Sequence, residues 1–118
     1  MATPAPGSIA SILLASTDPD RLRAWYYAAL APDQPQEDGH LDIGGFRFVF
    51  DRRDDIEDKN PEPERAILNF HVDDARAIAA RLNEIGVSWL TELEERPKGL
   101  FGTLIDPDGN YFQIIEFR

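Results

Sequence analysis

Gly99-Leu100-Phe101-Gly102-Thr103-Leu104-Ile105-Asp106-Pro107-Asp108-Gly109-Asn110-Tyr111-Phe112-Gln113-Ile114-Ile115-Glu116-Phe117-Arg118 is the stretch whose reading decides the fold. Two apolar, β-rich runs flank Asp106-Pro107-Asp108-Gly109-Asn110. Pro presets φ there and Gly accepts a positive φ, so the spacing predicts a tight hairpin. In the second run Tyr111, Gln113, Ile115 and Phe117 share one face, and Phe112, Ile114 and Glu116 share the other. Both faces are mostly apolar, which calls for cover on both sides. Gln113 sits alone among apolar neighbours, so what it faces bears directly on function.

The same logic extends upstream. Ala66 to Val72 reads as a strand, with Ile67, Asn69 and His71 on one face and Leu68, Phe70 and Val72 on the other. Asp73 or Asp74 caps a helix with the stripe Ala75, Ile78, Ala79, Leu82 and Ile85, and Gly86 supplies the position after its end. Val87 to Leu93 is a strand, and Glu94 to Lys98 a charged turn. Further back, Ser8 to Ser16 is a strand apolar on both faces. Asp18-Pro19 then opens a helix whose stripe is Leu22, Trp25, Tyr26, Ala29 and Leu30, and Pro32 stops it. Residues 31–38 read as a polar loop with a short edge strand. His40 to Ile43 and Phe46 to Phe50 form a hairpin across Gly44-Gly45. Phe46, Phe48 and Phe50 fill the core under the helix, leaving Arg47, Val49 and Asp51 opposite, a parity that sequence alone does not fix. Residues 52–65 are charged and contain Pro61 and Pro63. They read as a solvated linker, with a lid over a cleft as the alternative.

The registers of the two halves match: Ser11 stands seven residues before Asp18, and Ile67 seven before Asp74. A duplicated strand–helix–strands unit follows, with modules over 8–51 and 66–118. Each has one helix to cover one sheet face. The other faces are too apolar for solvent, so the modules curl together around a sheet-lined cleft, a common setting for a small ligand.

Composition narrows the functions. The 118 residues suit one domain over 1–118, and the formal charge of −10 disfavours nucleic acid and anionic membrane surfaces. No cysteine is present, which removes disulfides, thiolate metal sites and a Cys nucleophile. Residues 1–7 form a Pro/Ala/Gly leader expected to be flexible. It lacks the basic region of a signal peptide, and a cytoplasmic location is expected.

Asp18 to Leu22 through Trp25-Tyr26, the Val72-Asp73-Asp74 entry to a helix ending at Gly86, the Glu95-Arg96-Pro97 turn and Asp106 to Asn110 together resemble the vicinal oxygen chelate superfamily. That superfamily includes glyoxalase I, extradiol dioxygenases and bleomycin-resistance proteins. The resemblance covers nearly the whole chain. It implies an α+β fold of two βαβββ modules, forming a curled mixed β-sheet cleft with helices on its outer face. It also suggests a homodimer.

Metal-dependent members of the superfamily hold a divalent ion with His, Glu or Gln side chains from the cleft strands. Carried over, those positions fall on Ser11, Ile67 and Gln113, and the remaining strand offers only Arg47 or Asp51. Ile67 cannot coordinate, Ser11 is a poor ligand and Arg47 repels a cation, so no metal cofactor is expected. A displaced site would need His71, about 13 Å along its strand from Ile67, with Asp51 or His40.

The cleft is expected to have Leu13, Ile67, Phe101, Tyr111, Ile115 and Phe117 as walls. Ser11, Arg47, Asn69, His71, Thr103 and Gln113 are its polar points. Such a lining suits an aromatic or amphipathic small molecule. Two other readings remain: a lyase, isomerase or dioxygenase with an unusual metal site or with His71 as general base, and a scaffold whose cleft is vestigial.

Overall fold

In the computed structural model, which describes residues 4–118, two modules follow one another. The first comprises β1 (Ser11–Ser16), α1 (Pro19–Leu30), β2 (His40–Ile43) and β3 (Phe46–Arg52). A 3-10 turn (Pro63–Arg65) precedes β4 (Leu68–His71), α2 (Ala75–Glu84), β5 (Ser88–Arg96), β6 (Gly99–Ile105) and β7 (Tyr111–Phe117). The sheets are ordered β1-β3-β2 and β4-β7-β6-β5, with β1 parallel to β3 and β4 parallel to β7. This is the expected α+β architecture. Among the described residues no helix is long and apolar enough to cross a membrane. Of the leader expected over residues 1–7, residues 1–3 lie outside the described part and residues 4–7 carry no regular structure; residues 8–10, expected to begin the first strand, carry none either, and the strand starts at Ser11.

Each helix starts where its cap stands. Asp18 Oδ1 accepts from the Arg21 N–H at 3.3 Å, and Asp74 Oδ1 from the Ala77 N–H at 3.1 Å. Gly86, at φ 79°, ends the second. The buried stripe of α1 is Leu22, Tyr26, Tyr27, Ala29 and Leu30, while Trp25 is only half-buried. Tyr27 was not expected there. Its hydroxyl donates to the His40 carbonyl at 2.9 Å and accepts the Glu37 N–H at 3.0 Å, so burial leaves no polar atom stranded. In α2 Ala75, Ala79 and Leu82 are buried, whereas Ile85 is exposed.

One core serves both modules. The Tyr26 ring centroid lies 5.5 Å from Phe48, 5.8 Å from Phe50 and 5.9 Å from Phe112. The parity is thereby fixed: Phe48 and Phe50 point inward, Arg47 and Asp51 outward. Tyr26 Oη donates to Asp106 Oδ2 at 2.7 Å, across 80 residues of sequence. Asp106 also accepts from the Asp108 and Asn110 N–H groups and from Asn110 Nδ2, each at 2.9 Å. A single carboxylate thus shapes the last hairpin turn and fastens it to α1.

Three expectations change. The first module has three strands among the described residues, because residues 31–39 form none. Pro32 and Pro35 lack donors, and the Glu37 N–H goes to Tyr27 rather than to a sheet. The charged turn expected over Glu94 to Lys98 is mostly strand, since Glu94, Glu95 and Arg96 pair with Phe101, Leu100 and Gly99. Gly99 has φ 148°, and a Cβ there would collide with the Glu116 carbonyl, so this tight crossing needs glycine. The linker is exposed yet fastened at both ends. The Arg53 N–H donates to the Ser16 carbonyl at 2.9 Å and the Asn60 N–H to the Asp108 carbonyl at 2.7 Å. Asn60 Nδ2 reaches Asn110 Oδ1 at 2.9 Å, and Lys59 Nζ donates to the Pro107 carbonyl.

Tyr26→Phe keeps the ring and removes the donor. It is expected to lower stability by about 1–3 kcal/mol in urea denaturation, with an unchanged circular dichroism spectrum. Burial pushes the Asp106 carboxyl above the ordinary range, against the pull of its donors. The folded state therefore holds this proton more tightly than the unfolded state. The stability this group contributes is full below its unfolded pKa and falls as pH rises through the folded one. A carbon-detected NMR titration should show Asp106 titrating above the exposed aspartates.

Candidate ligand-binding face

The alternation of each strand splits its residues between the shared core and an outward face, and the expected site residues all fall on the outward faces. In the second sheet Asn69, Gln113 and Thr103 are cross-strand neighbours in one row, continued by Thr91. The next row is His71, Ile115 and Phe101, and Tyr111 stands beside Ile105. In the first sheet Ser11, Arg47 and Asp42 form one row, and Leu13, Val49 and His40 another. Within each sheet the pairing is direct.

Cover differs along these rows. Thr103 and Ile115 are buried, Phe101, Tyr111 and Gln113 half-buried, and Ser11, Arg47, Asn69 and His71 exposed. Leu13 is 59% exposed, Ile67 41% and Phe117 55%. In the single chain these outward faces are therefore open, and that of the second sheet carries a neutral amide–amide–hydroxyl row.

Charge on this face is largely neutralised locally. Arg47 grips Asp42 with two hydrogen bonds, at 2.7 and 3.0 Å, and holds that carboxyl below the ordinary range. At the far end the His71 ring meets the edge of Phe117 at 5.0 Å, and Phe117 meets Phe101 at 5.8 Å. The Arg96 guanidinium lies 5.0 Å from the Phe101 ring centroid and pairs with Glu94 at 2.6 Å. His71 thus ends an aromatic ladder and has no carboxylate partner among the described residues that would orient it as a base.

The three positions onto which the resemblance carries the superfamily's metal ligands offer a poor donor set for a metal ion. Ser11, Ile67 and Gln113 are a hydroxyl, an alkyl group and an amide. Among the described residues no group of three or more His, Asp or Glu side chains is placed to hold an ion. The alternative involving His71, Asp51 or His40 gains no support, since among the described residues these side chains form no such group.

Two cavities touch the expected set. One, of about 240 Å³, has Ile67 and Tyr111 in its wall, opposite Ile12 and Leu14 of β1. The other, of about 340 Å³, lies where the β2–β3 tip meets β4 and is lined by Ile43, Phe46, Phe48, Leu68, Phe70 and Phe112, with Asn69 at its side. Its aromatic wall was read from the sequence as core filling. The only hint was Phe46, which follows Gly44-Gly45 at a hairpin tip, where core cover is thinnest.

A family model for a glyoxalase-like domain matches residues 11–115. No curated protein matches the chain by sequence. Among solved structures, a glyoxylase/bleomycin resistance protein/dioxygenase domain from Frankia sp. EAN1pec superposes with a TM-score of 0.75 at 21% identity, covering 97% of this chain and 100% of that one. TioX from Micromonospora sp. ML1 gives 0.70 at 20% identity, over 95% and 100% of the two chains. TnmS3, an antibiotic binding protein from Streptomyces sp. CB03234, gives 0.69 at 22% identity, over 98% and 100%. At these identities the likeness shows the fold.

Exposure on the outward face separates residues that hold the fold from those free to meet a ligand. Ile67→Ser is expected to change stability by at most about 0.5 kcal/mol. Ile115→Ala, one strand over and buried, should cost about 2–5 kcal/mol. Paired urea melts read both.

Proposed function

Because the chain belongs to the glyoxalase-like domain family of the vicinal oxygen chelate superfamily, we propose that it binds a small aromatic or amphipathic molecule on the outward sheet face without a metal ion. The observation that carries this reading is the row Asn69–Gln113–Thr103, set between apolar residues on a face turned away from the core. Apolar burial against Leu13, Ile67, Phe101 and Tyr111 supplies affinity. The amides and hydroxyls fix orientation without demanding a charged ligand. The resemblance carries the superfamily's metal-ligand positions onto Ser11, Ile67 and Gln113, and the chemistry of these three supports binding rather than Lewis-acid catalysis. The likeness to an antibiotic binding protein supports the ligand class.

An open face with Leu13 and Ile67 in solvent cannot enclose a ligand by itself. The reading therefore includes a second copy of the chain as the roof, in a homodimer with both faces turned inward. Sedimentation equilibrium should give a dimer, and Leu13→Asp should yield monomers.

Thermal-shift screening with planar aromatic and amphipathic compounds tests the ligand. A binder of the native state should raise the melting temperature, by an amount set by concentration over Kd. Gln113→Ala should reduce that rise while leaving the unliganded melt nearly in place. Metal analysis of protein purified without chelator should find substoichiometric divalent metal. Stoichiometric metal lost in Gln113→Ala would overturn the reading and favour a metal-dependent enzyme.

A further inference from the structure

Acidic residues outnumber basic ones 22 to 12, and nearly every arginine is committed to a partner. Every other arginine either pairs with a carboxylate or, as Arg81, donates to backbone carbonyls, those of Ala28 and Ala29. Among the described residues the Arg21 guanidinium alone has no acceptor. Its position is also unfavourable, in the first turn of α1 beside the positive end of the helix dipole. The neighbouring carboxylates do not compensate directly. Asp18 caps the Arg21 backbone N–H, and Asp20 pairs with Arg23 at 3.0 Å.

Arg21 lines a cavity of about 400 Å³ where α1 meets the Asp106–Asn110 turn, together with Trp25, Lys59, Val87, Ile105 and Pro107. Lys59 is held at this wall by its bond to the Pro107 carbonyl, and an ammonium has three donors, so others remain. Trp25 is half-buried, and its ring is set edge-on against Tyr26, with centroids 4.8 Å apart and planes at 82°. Its indole N–H has no protein partner among the described residues. Asp106 also borders the cavity, but both its oxygens are taken by Tyr26, Asn110 and the turn N–H groups.

We propose that this cavity is a second binding site, for a planar aromatic molecule bearing a carboxylate or phosphate. The Arg21 fork and the Lys59 ammonium take the oxyanion, and Trp25 takes the ring. None of the lining residues belongs to the outward-face set, so the site stands whether or not that face binds a ligand.

The test uses the two indole N–H cross-peaks of the full chain in a ¹H–¹⁵N spectrum, assigned with Trp89→Phe. Titration with 2-naphthoate or phenyl phosphate should move the Trp25 peak saturably and leave the Trp89 peak in place. The tighter of the two probes identifies the preferred oxyanion. Arg21→Gln, at an exposed position, should weaken binding about tenfold or more, and Arg21→Lys should retain part of it. Neutral 2-naphthamide should leave the Trp25 peak where it is. A Trp25 peak that neither probe moves would overturn the assignment. So would one that responds equally in Arg21→Gln or to the amide.

Discussion

A hydrogen bond between a buried phenol and a buried carboxylate, Tyr26 to Asp106, is the constraint on which the rest depends. Neither group tolerates burial alone. The phenol needs an acceptor, and the carboxylate needs enough donors to replace its lost water. Burial also raises the Tyr26 pKa well above its ordinary value, keeping the hydroxyl protonated as a donor. With the bond made, the helix of the first module and the last hairpin of the second can be in register only one way. The aromatic contacts of Tyr26 with Phe48, Phe50 and Phe112 then close one core from two halves.

That core determines where function can sit. Both helices cover the inner sheet faces, so each strand has one side in the shared core and one side turned away from it. Ile114 and Gln113 are adjacent in sequence, yet the first lies in the core and the second in a row of neutral polar groups on the outer face. Ser11, Ile67 and Gln113, the positions onto which the resemblance carries the superfamily's metal ligands, lie off the core, so side chains there can vary without disturbing the inner side.

Much of this was legible in the sequence, for local reasons. Asp18-Pro19 and Asp74 announce helix starts through capping chemistry that needs no tertiary context. The Asp106 to Asn110 run announces its turn, and period-two alternation places Phe112 and Ile114 opposite Gln113 and Ile115. The misses were long-range. Tyr27 joins the core because distant His40 and Glu37 satisfy its hydroxyl. The Glu94 to Arg96 segment continues as strand because Gly99 lets the next strand cross close to Glu116. The 52–65 stretch looks solvated by composition, and its order comes from backbone groups of Ser16 and Asp108 that no local pattern reveals. The cavity at Arg21 and Lys59 was hidden likewise, since its members are 38 positions apart in sequence.

The fastened linker has a consequence for how such a chain can be cut. Its residues are exposed and contribute nothing to the interior, and each end is tethered to a different half. A gene interrupted between those tethers encodes two fragments with complementary aromatic surfaces, one carrying the Tyr26 phenol and the other its Asp106 acceptor. Reassembly of the pair is then a bimolecular event with its own concentration dependence, and the nick itself lies in exposed chain.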